Sequence, residues 1–136
     1  QQTMTAPSRI PPPDDATWEN EGFKGGGLGV DRTLTGAAAS TGTARGRARV
    51  VRQPADVEQL QPGEILVAHA TTPAMNFAIS RAAAIVSNVG GVTTHSALIA
   101  REFGIPAVIG TEVGTEVIKD GVELEVDGDA GVVRFL

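Results

Sequence analysis

The chain contains no cysteine and no tyrosine, and its aromatic residues amount to four phenylalanines and one tryptophan in 136 residues. The lack of cysteine excludes a disulfide framework, a thiolate nucleophile and a zinc–thiolate site. With so few aromatic rings, the core has to be built from valine, isoleucine, leucine and alanine, and little surface is available for stacking nucleobases. A net charge of −5 also argues against a nucleic-acid partner, because contacts to phosphates need a basic face.

Long hydrophobic runs are also missing. No apolar stretch approaches the roughly 20 residues that a membrane helix needs, and the N-terminal residues 1–4 are neither basic nor apolar enough for a secretory signal. We therefore expect a cytoplasmic protein with no membrane partner. The length is sufficient for one domain but short for a complete two-substrate enzyme. The first residue is not methionine, which suggests a piece of a longer protein.

Residues 1–35 differ in composition from the rest of the chain. Prolines and glycines, including Pro11–Pro13 and Gly25–Gly27, interrupt a stretch with few apolar residues, which predicts a linker or N-terminal arm. Trp18 and Phe23 lie in this stretch, and we expect Trp18 to anchor the arm on a surface, because tryptophan buries a large apolar area. The sequence leaves open whether the arm is a hinge or part of the fold.

Residues 36–136 alternate short strands with short helices, which predicts one mixed α/β domain with a central sheet. Thr71, Thr72 and Pro73 are typical of a helix start, with a threonine as the N-cap and proline in the first turn. We predict strands over 45–51, 65–68, 83–87, 107–109, 122–126 and 132–135, and helical segments over 55–60, 71–81, 95–104 and 113–119.

The most informative motif places one histidine at the start of a short apolar helix. His95 follows Gly90, Gly91, Thr93 and Thr94. A helix start has unpaired N–H groups and favours anions, glycines allow a close approach, and the threonines offer cap hydroxyls. Neutral imidazole is a nucleophile near pH 7. The motif therefore predicts a histidine that carries a phosphoryl group.

The stretch from Gly90 to Gly110 resembles the phosphohistidine signature of the PEP-utilising enzymes, such as phosphoenolpyruvate synthase, pyruvate phosphate dikinase and rifamycin phosphotransferase. It reads Gly-Gly-Val-Thr-Thr-His-Ser-Ala-Leu-Ile-Ala-Arg-Glu-Phe-Gly-Ile-Pro-Ala-Val-Ile-Gly. Thr94 and Ser96 stand where the family pattern has serine and alanine, and both changes are small. The resemblance covers about residues 36–136. It implies the swivelling β/β/α domain, with His95 as carrier and a phosphate site at Gly90, Gly91, Thr93, Thr94 and Ser96.

The segment around His95 carries no charge. No Asp, Glu, Lys or Arg lies between Ala82 and Ala100, and Arg101 is expected to point away into solvent. Phosphoryl transfer normally needs Mg²⁺ and cationic groups. We therefore expect no metal or other cofactor on this domain, and Mg²⁺ with ATP or phosphoenolpyruvate on partner domains. The resemblance implies that these are an ATP-grasp nucleotide-binding domain and a second acceptor or PEP-binding domain, in the same chain or as separate subunits.

Three other features have ordinary structural interpretations. His69 follows a strand, and two histidines without nearby carboxylates make a weak metal site. Arg45, Arg47 and Arg49 share one strand face, which favours a solvated edge over a docking surface for an acidic partner. Asp127–Asp129 resembles a fragment of a calcium loop but lacks the remaining ligands, and a hairpin turn is the expected structure.

Two alternative functions compete with a phosphoryl carrier. The first is a non-catalytic swivelling or binding module that keeps the fold without transferring a phosphoryl group; loss of the histidine would mark such a module, and His95 is present. The second is a hydrolase that uses His95 with Ser87 or Ser96. Ser96 is badly placed for this because adjacent helix residues do not face each other, and no acid lies close by to orient the base.

Overall fold

The computed structural model describes residues 27–28 and 33–136 of the chain. Nine strands and three short α-helices are present in these residues, together with 3₁₀ turns over Pro54–Gln59 and Pro73–Met75. The strands are β1 (Gly27–Leu28), β2 (Thr33–Thr35), β3 (Ala37–Ser40), β4 (Thr43–Val51), β5 (Ile65–Ala68), β6 (Ala84–Ser87), β7 (Ala107–Ile109), β8 (Glu123–Asp127) and β9 (Val132–Phe135), and the helices are α1 (Asn76–Ile79), α2 (His95–Phe103) and α3 (Gly114–Val117).

The strands are hydrogen-bonded in the order β1-β2-β9-β8-β4-β5-β6-β7-β3. The long strand β4 belongs to two halves of this sheet. Its first part, 43–47, pairs antiparallel with β8, and its second part, 48–51, pairs parallel with β5. Strands β5, β6 and β7 continue the parallel half, whereas β8, β9, β2 and β1 are all antiparallel. The parallel half therefore presents the carboxyl ends of neighbouring strands at one edge.

Two apolar clusters fill the interior. Alternate residues of β5 point to opposite faces, so that Leu66 joins one cluster and Ile65 and Val67 join the other. The first cluster includes α1 and α2 residues such as Ile79 and Ile99, and the second includes Leu124 on the antiparallel half. Helices α1 and α2 thus cover one face of the parallel half, and α3 and the antiparallel half pack on the other. This confirms the predicted α/β fold with a central sheet and short helices.

Two strands of the sheet precede the predicted domain boundary at residue 36. Strand β2 pairs with β9, and the side chain of Leu34 is fully buried. Strand β1 pairs in turn with β2. The alternation in Thr33–Thr35 is too short to be distinguished from a linker beside several glycines, so the sequence does not predict this strand. Residues 1–26, with Trp18 and Phe23, lie outside the described residues, so the docking of an arm stays a prediction.

The helix predicted over 71–81 is shorter and less regular than expected. A 3₁₀ turn over Pro73–Met75 leads into the single turn of α1. Backbone bonds then tie this segment to the chain before β5: the N–H of Gly63 donates to Arg81 O, and the N–H of Ala83 donates to Glu64 O. These bonds end the helix because they draw the backbone into β6. Helix α3 is likewise shorter than predicted.

Strand β4 lies inside the sheet rather than at its edge, but Arg45 and Arg47 are exposed, as the sequence predicts, and Arg49 is half-buried. Arg45 Nε donates to Glu125 Oε2 at 3.1 Å, and Arg49 donates two hydrogen bonds to Glu64, each 3.1 Å. The bonds to Glu64 raise the pKa of Arg49. Burial acts to raise the pKa of Glu64, but the bonds from Arg49 and from the Gln61 N–H lower it overall.

The predicted hairpin turn at Asp127–Asp129 is confirmed. Asp127 Oδ1 accepts the N–H groups of Asp129 and Ala130, each at 3.0 Å, and so links β8 to β9. The bond from Ala130 is the main reason why the pKa of Asp127 is lowered. Within the described ranges, no helix is long and apolar enough to cross a membrane.

Candidate functional site

The candidate site lies where the chain leaves β5 and β6 at the carboxyl edge of the parallel half. The loop after β5 contains Thr71 and leads to Asn76 at the start of α1, and the loop after β6 leads to His95 at the start of α2. Since these strands are parallel neighbours, both loops emerge at the same edge. The sheet therefore brings together three residues that are far apart in sequence.

His95 is the first residue of α2 and is half-buried. Thr94 occupies the N-cap position with an extended backbone, but its hydroxyl does not cap the helix; it donates to Gly91 O at 2.8 Å. The cap hydroxyls expected from the sequence are therefore absent, and no side chain caps the start of α2. The helix ends as predicted at Gly104, whose φ of 71° lies in the left-handed region.

Both nitrogens of the His95 ring have polar partners. Nδ1 lies 2.8 Å from Thr71 Oγ1, and Nε2 lies 2.8 Å from Asn76 Oδ1. Thr71 Oγ1 is also 2.6 Å from Ser96 Oγ, and both Thr71 and Ser96 are buried. Hydroxyl and carboxamide groups can each donate and accept, so this network accommodates either neutral tautomer of the imidazole. Nδ1 thus faces a buried hydroxyl pair, while Nε2 faces a half-buried amide.

The predicted phosphate-binding residues divide into two groups. Ser96 is engaged with Thr71 on the Nδ1 side, which does not favour its predicted contact with a phosphate. Gly90 serves packing: its φ is 119°, and an added Cβ would lie 2.9 Å from Thr94 Oγ1. An added Cβ on Gly91 would meet nothing within 4 Å. Thr93 is exposed. Gly91 and Thr93 are therefore the predicted residues with open space beside them.

Arg101 is exposed and is not a hydrogen-bond partner of the His95 ring, as expected, but its guanidinium is bonded to the backbone. Its Nη2 donates to Val92 O at 2.6 Å and its Nε donates to Ala39 O at 2.8 Å. The guanidinium thus joins α2 to the glycine loop and to β3. Its five donors are suited to such a bridge between carbonyl groups. Arg101 supports the loop that carries the site rather than the ring itself.

His69 lies apart from the His95 network. It is exposed, and its Nδ1 is 3.4 Å from the Nδ2 atom of the buried Asn88. Asn88 Nδ2 in turn donates to Thr115 Oγ1, and Asn88 Oδ1 accepts the N–H of Thr115. Across the part of the chain that the structure describes, no group of three or more His, Asp or Glu residues is arranged to hold a metal ion.

The geometry does not support a serine hydrolase. The hydroxyl of the fully buried Ser87 donates to Val89 O at 3.0 Å. Ser96 reaches His95 through Thr71, as described above. Neither serine is hydrogen-bonded to the imidazole, and the ring's two partners are a hydroxyl and an amide rather than a carboxylate.

Three exposed apolar side chains are close to the site residues in sequence. Phe77 directly follows Asn76, Val92 lies in the glycine loop, and Leu98 is one helical turn beyond His95. Their relative exposures are 82%, 51% and 55%, respectively. These three side chains are here called the apolar collar; the guanidinium of Arg81 lies over one of them, with its Cζ 5.6 Å from the centroid of the Phe77 ring. Large exposed apolar groups around a reactive side chain are typical of a surface that another protein surface covers.

Two site residues were missed in the sequence. The sequence places Thr71 at a predicted helix start and indicates no role for Asn76. Their contacts with His95 span 24 and 19 residues, and no local pattern reveals such contacts. The topology of the sheet could have indicated these contacts. Thr71 and Asn76 both follow β5, and the carboxyl end of β5 lies beside the carboxyl end of β6.

Comparison with known proteins identifies relatives over most of the chain. The profile of the family described as "PEP-utilising enzyme, mobile domain" matches residues 60–131. A chondramide synthase of Chondromyces crocatus is 52% identical over 106 residues, which are 78% of this chain and 3% of that protein. A protein of Archaeoglobus fulgidus, named "Probable phosphoenolpyruvate synthase", is 47% identical over 74% of this chain and 13% of its own length. The chain thus spans a small part of these relatives.

Solved structures share the architecture. The solution structure of an Enzyme I protein (nEIt) aligns with a TM-score of 0.52 and 31% sequence identity. The alignment covers 58% of this chain and 33% of that protein.

Proposed function

The chain belongs to the PEP-utilising enzymes as their mobile domain, and we propose that His95 accepts a phosphoryl group from ATP or phosphoenolpyruvate and passes it to a second acceptor. The observation that carries this proposal is the asymmetry of the imidazole. Nδ1 is bound to a buried hydroxyl, and Nε2 lies on the less buried side of the ring. Nε2 is therefore the nitrogen that would carry the group.

The network around the ring supports this chemistry. When Nδ1 holds the proton and donates it to Thr71 Oγ1, Thr71 can donate to Ser96 Oγ, and Nε2 presents its lone pair. Nε2 then forms a bond to phosphorus, the bond from phosphorus to the donor's leaving group breaks, and that group departs with the electron pair. The Thr71 hydroxyl stabilises the N–H of the positively charged ring. The onward transfer reverses these bond changes with a different partner.

The phosphoryl oxygens would find neutral donors close by. The start of α2 has N–H groups that no side chain caps, and a helix of this length favours an anion there. The exposed hydroxyl of Thr93 is a further donor. The residues around His95 do not fit a Mg²⁺ site, since carboxylates are absent from residues 82–100. We assign Mg²⁺ and the nucleotide to partner domains.

The apolar collar supports a role for partner domains. The relatives above are many times longer than this chain, so further domains accompany it there. We assign to these partners an ATP-grasp nucleotide-binding domain and a PEP-binding or other acceptor domain. Phe77, Val92 and Leu98 would be covered while His95 is held in each partner's site, which would exclude water from the labile nitrogen–phosphorus bond.

A reconstitution experiment tests the proposal. The chain replaces the mobile domain of the Archaeoglobus relative, and the chimera is incubated with ATP or with phosphoenolpyruvate. Adding back the relative's own mobile domain to the remaining parts shows that those parts are active. We expect an adduct of about 80 Da, the mass of one phosphoryl group, that is labile in acid, stable in base and absent from His95→Ala.

Failure of both donors to load His95, with active partner parts, would contradict the proposal. That result would favour the second candidate, a swivelling module that keeps the fold without phosphoryl transfer. An adduct of equal yield in His95→Ala would also contradict it, because the group would then reside on another residue.

A further inference from the structure

Asn76 lies beside the atom that would carry the phosphoryl group. Its Oδ1 is 2.8 Å from Nε2 of His95, and its backbone carbonyl accepts the N–H of Ser80 at 3.1 Å. The backbone is thus fixed in α1 while the side chain is half-buried. This contact cannot persist unchanged in the loaded protein, because phosphorus bonded to Nε2 would occupy the direction in which Oδ1 now lies.

A carboxamide can respond to that change without moving its backbone. Its acceptor oxygen and its NH₂ donor are attached to one carbon, and a half-turn about Cβ–Cγ exchanges them. The oxygen can accept Nε2–H in one tautomer, and the NH₂ group can donate to the Nε2 lone pair in the other. The same NH₂ group can donate to a phosphoryl oxygen, whereas a carboxylate at this position could not.

We propose that Asn76 holds the phosphoryl group on His95, with its NH₂ group donating a hydrogen bond to a phosphoryl oxygen after transfer to Nε2. This inference rests on the proposed function. It makes Asn76 both the partner of the free ring and a ligand of the loaded one.

Several other polar side chains have partners elsewhere. Thr71 and Ser96 bond to each other on the Nδ1 side, and the guanidinium of Arg101 bonds to two backbone carbonyls. Arg81 Nε donates to Leu60 O. Of the described side chains hydrogen-bonded to His95, Asn76 is the one on the Nε2 side.

Chemical loading tests this role without a partner domain. Phosphoramidate phosphorylates imidazole directly: Nε2 bonds to phosphorus, the original P–N bond breaks, and ammonia leaves. We would load the 136-residue chain, Asn76→Ala and Asn76→Asp, with Gln59→Glu as a control that makes the same amide-to-carboxylate change at an exposed, remote position. Trypsin separates His69, in peptide 53–81, from His95, in peptide 82–101, so the label is assigned to one ring.

The lifetime of phosphorylated His95 is the main measurement. We expect it to fall about 10-fold in Asn76→Ala, the effect of losing one hydrogen bond to a charged group. It should fall further in Asn76→Asp, where a carboxylate replaces the donor and repels the phosphoryl group, and should not change in Gln59→Glu. The side-chain NH₂ resonances of Asn76 should also shift on loading of the wild-type chain.

A lifetime in Asn76→Ala equal to that of the wild type, with an unchanged fold in the ¹H–¹⁵N spectrum, would overturn the inference whatever Asn76→Asp does. This outcome differs from failure of the proposed function, which appears as no loading of His95 by ATP or phosphoenolpyruvate in the chimera. Chemical loading is independent of that result.

Discussion

The two halves of the sheet use polar groups in opposite ways. The antiparallel half has charged pairs on its surface: Glu125 accepts from Arg45 at 3.1 Å and from Arg134 at 3.3 Å, and Arg134 also lies 3.7 Å from Asp127. The carboxyl edge of the parallel half has no charged residue between 82 and 100, and the His95 network consists of hydroxyls and an amide. The hydrogen-bond network of the imidazole thus contains no charged side chain.

This difference fits the proposed phosphoryl carrier, in which the phosphoryl group would bring negative charge to a neutral site. A neutral network orients the imidazole but allows its proton to be on either nitrogen. It carries no charge that would repel a phosphoryl group or bind it too tightly for onward transfer. The charges that would neutralise a transferring phosphoryl group would then be supplied at the sites of donor and acceptor. Changes that introduce charge or remove a hydroxyl on the neutral edge should therefore have larger effects than changes among the ion pairs.

Thr71→Val should give the largest change. Valine keeps the shape of threonine but leaves His95 Nδ1 and Ser96 Oγ without their shared partner, and we expect the rate of loading in the chimera to fall about 10- to 100-fold. The matched control is Thr72→Val, because Thr72 is exposed and is not a hydrogen-bond partner of the His95 ring. Equal loading rates for the two variants would show that the Nδ1 contact has no role.

Gly90→Ala should destabilise the glycine loop. A Cβ at Gly90 would lie 2.9 Å from Thr94 Oγ1, in a backbone with φ 119° that L-residues rarely adopt, and we expect a loss of about 1–3 kcal/mol in the free energy of unfolding. Gly91→Ala meets open space and should cost less than about 0.5 kcal/mol. Denaturant unfolding of both variants measures the difference, and similar losses would contradict the packing role given to Gly90.

Leu98→Asp places a charge in the apolar collar. We expect loading by ATP or phosphoenolpyruvate in the chimera to fall about 10-fold, since a desolvated charge disfavours docking, while loading by phosphoramidate stays unchanged. Leu136→Asp adds the same charge at an exposed position outside the collar and serves as the control. A fall in both kinds of loading would show that Leu98 acts on the ring or on the fold rather than on docking.

Removing an ion pair should have the smallest effect. The pKa of Glu64 is lowered in the folded protein from its ordinary value of 4.5. Its carboxylate therefore stabilises the fold at pH values above 4.5, and this contribution is lost as the pH falls through the lowered pKa. Glu64→Gln should therefore reduce the free energy of unfolding at neutral pH by about 1 kcal/mol or less. The difference from the wild type should disappear in acid.

The exposed Glu58→Gln is the control for this titration, and we expect it to change stability less than Glu64→Gln does. If the loss of unfolding free energy in Glu64→Gln became larger in acid, it would contradict a carboxylate whose pKa is lowered by folding.

Strands of valine, isoleucine and leucine were predictable from the sequence because they are short apolar runs bounded by turns. Strand β3 was not, since Ala37–Ser40 consists of residues with little preference for strands, and its place is set by pairing with β7. Strand β2 was missed for a related reason: it is a strand of three residues whose central Leu34 becomes buried only through the tertiary structure.

The position of His95 at a helix start was also predictable, because Gly91, Thr94 and Gly104 give local signals for the two ends of α2. The use of the hydroxyls was not. Thr94 and Thr71 look like helix caps in sequence, but each has a better partner in the folded chain: Gly91 O for Thr94, and His95 Nδ1 for Thr71. Local sequence patterns indicate which hydrogen bonds a side chain can form, whereas the pairing of the strands determines which partner lies close to it.

The most direct test of the carrier role is a pulse-chase of the loaded chain. The chimera is loaded with labelled phosphate on His95, the donor is removed, and the acceptor substrate is added. We predict that the label leaves peptide 82–101 at least as fast as the net reaction turns over, and that His95→Ala abolishes both steps. Net turnover that continues in His95→Ala, or label that remains on peptide 82–101 while product forms, would contradict the account.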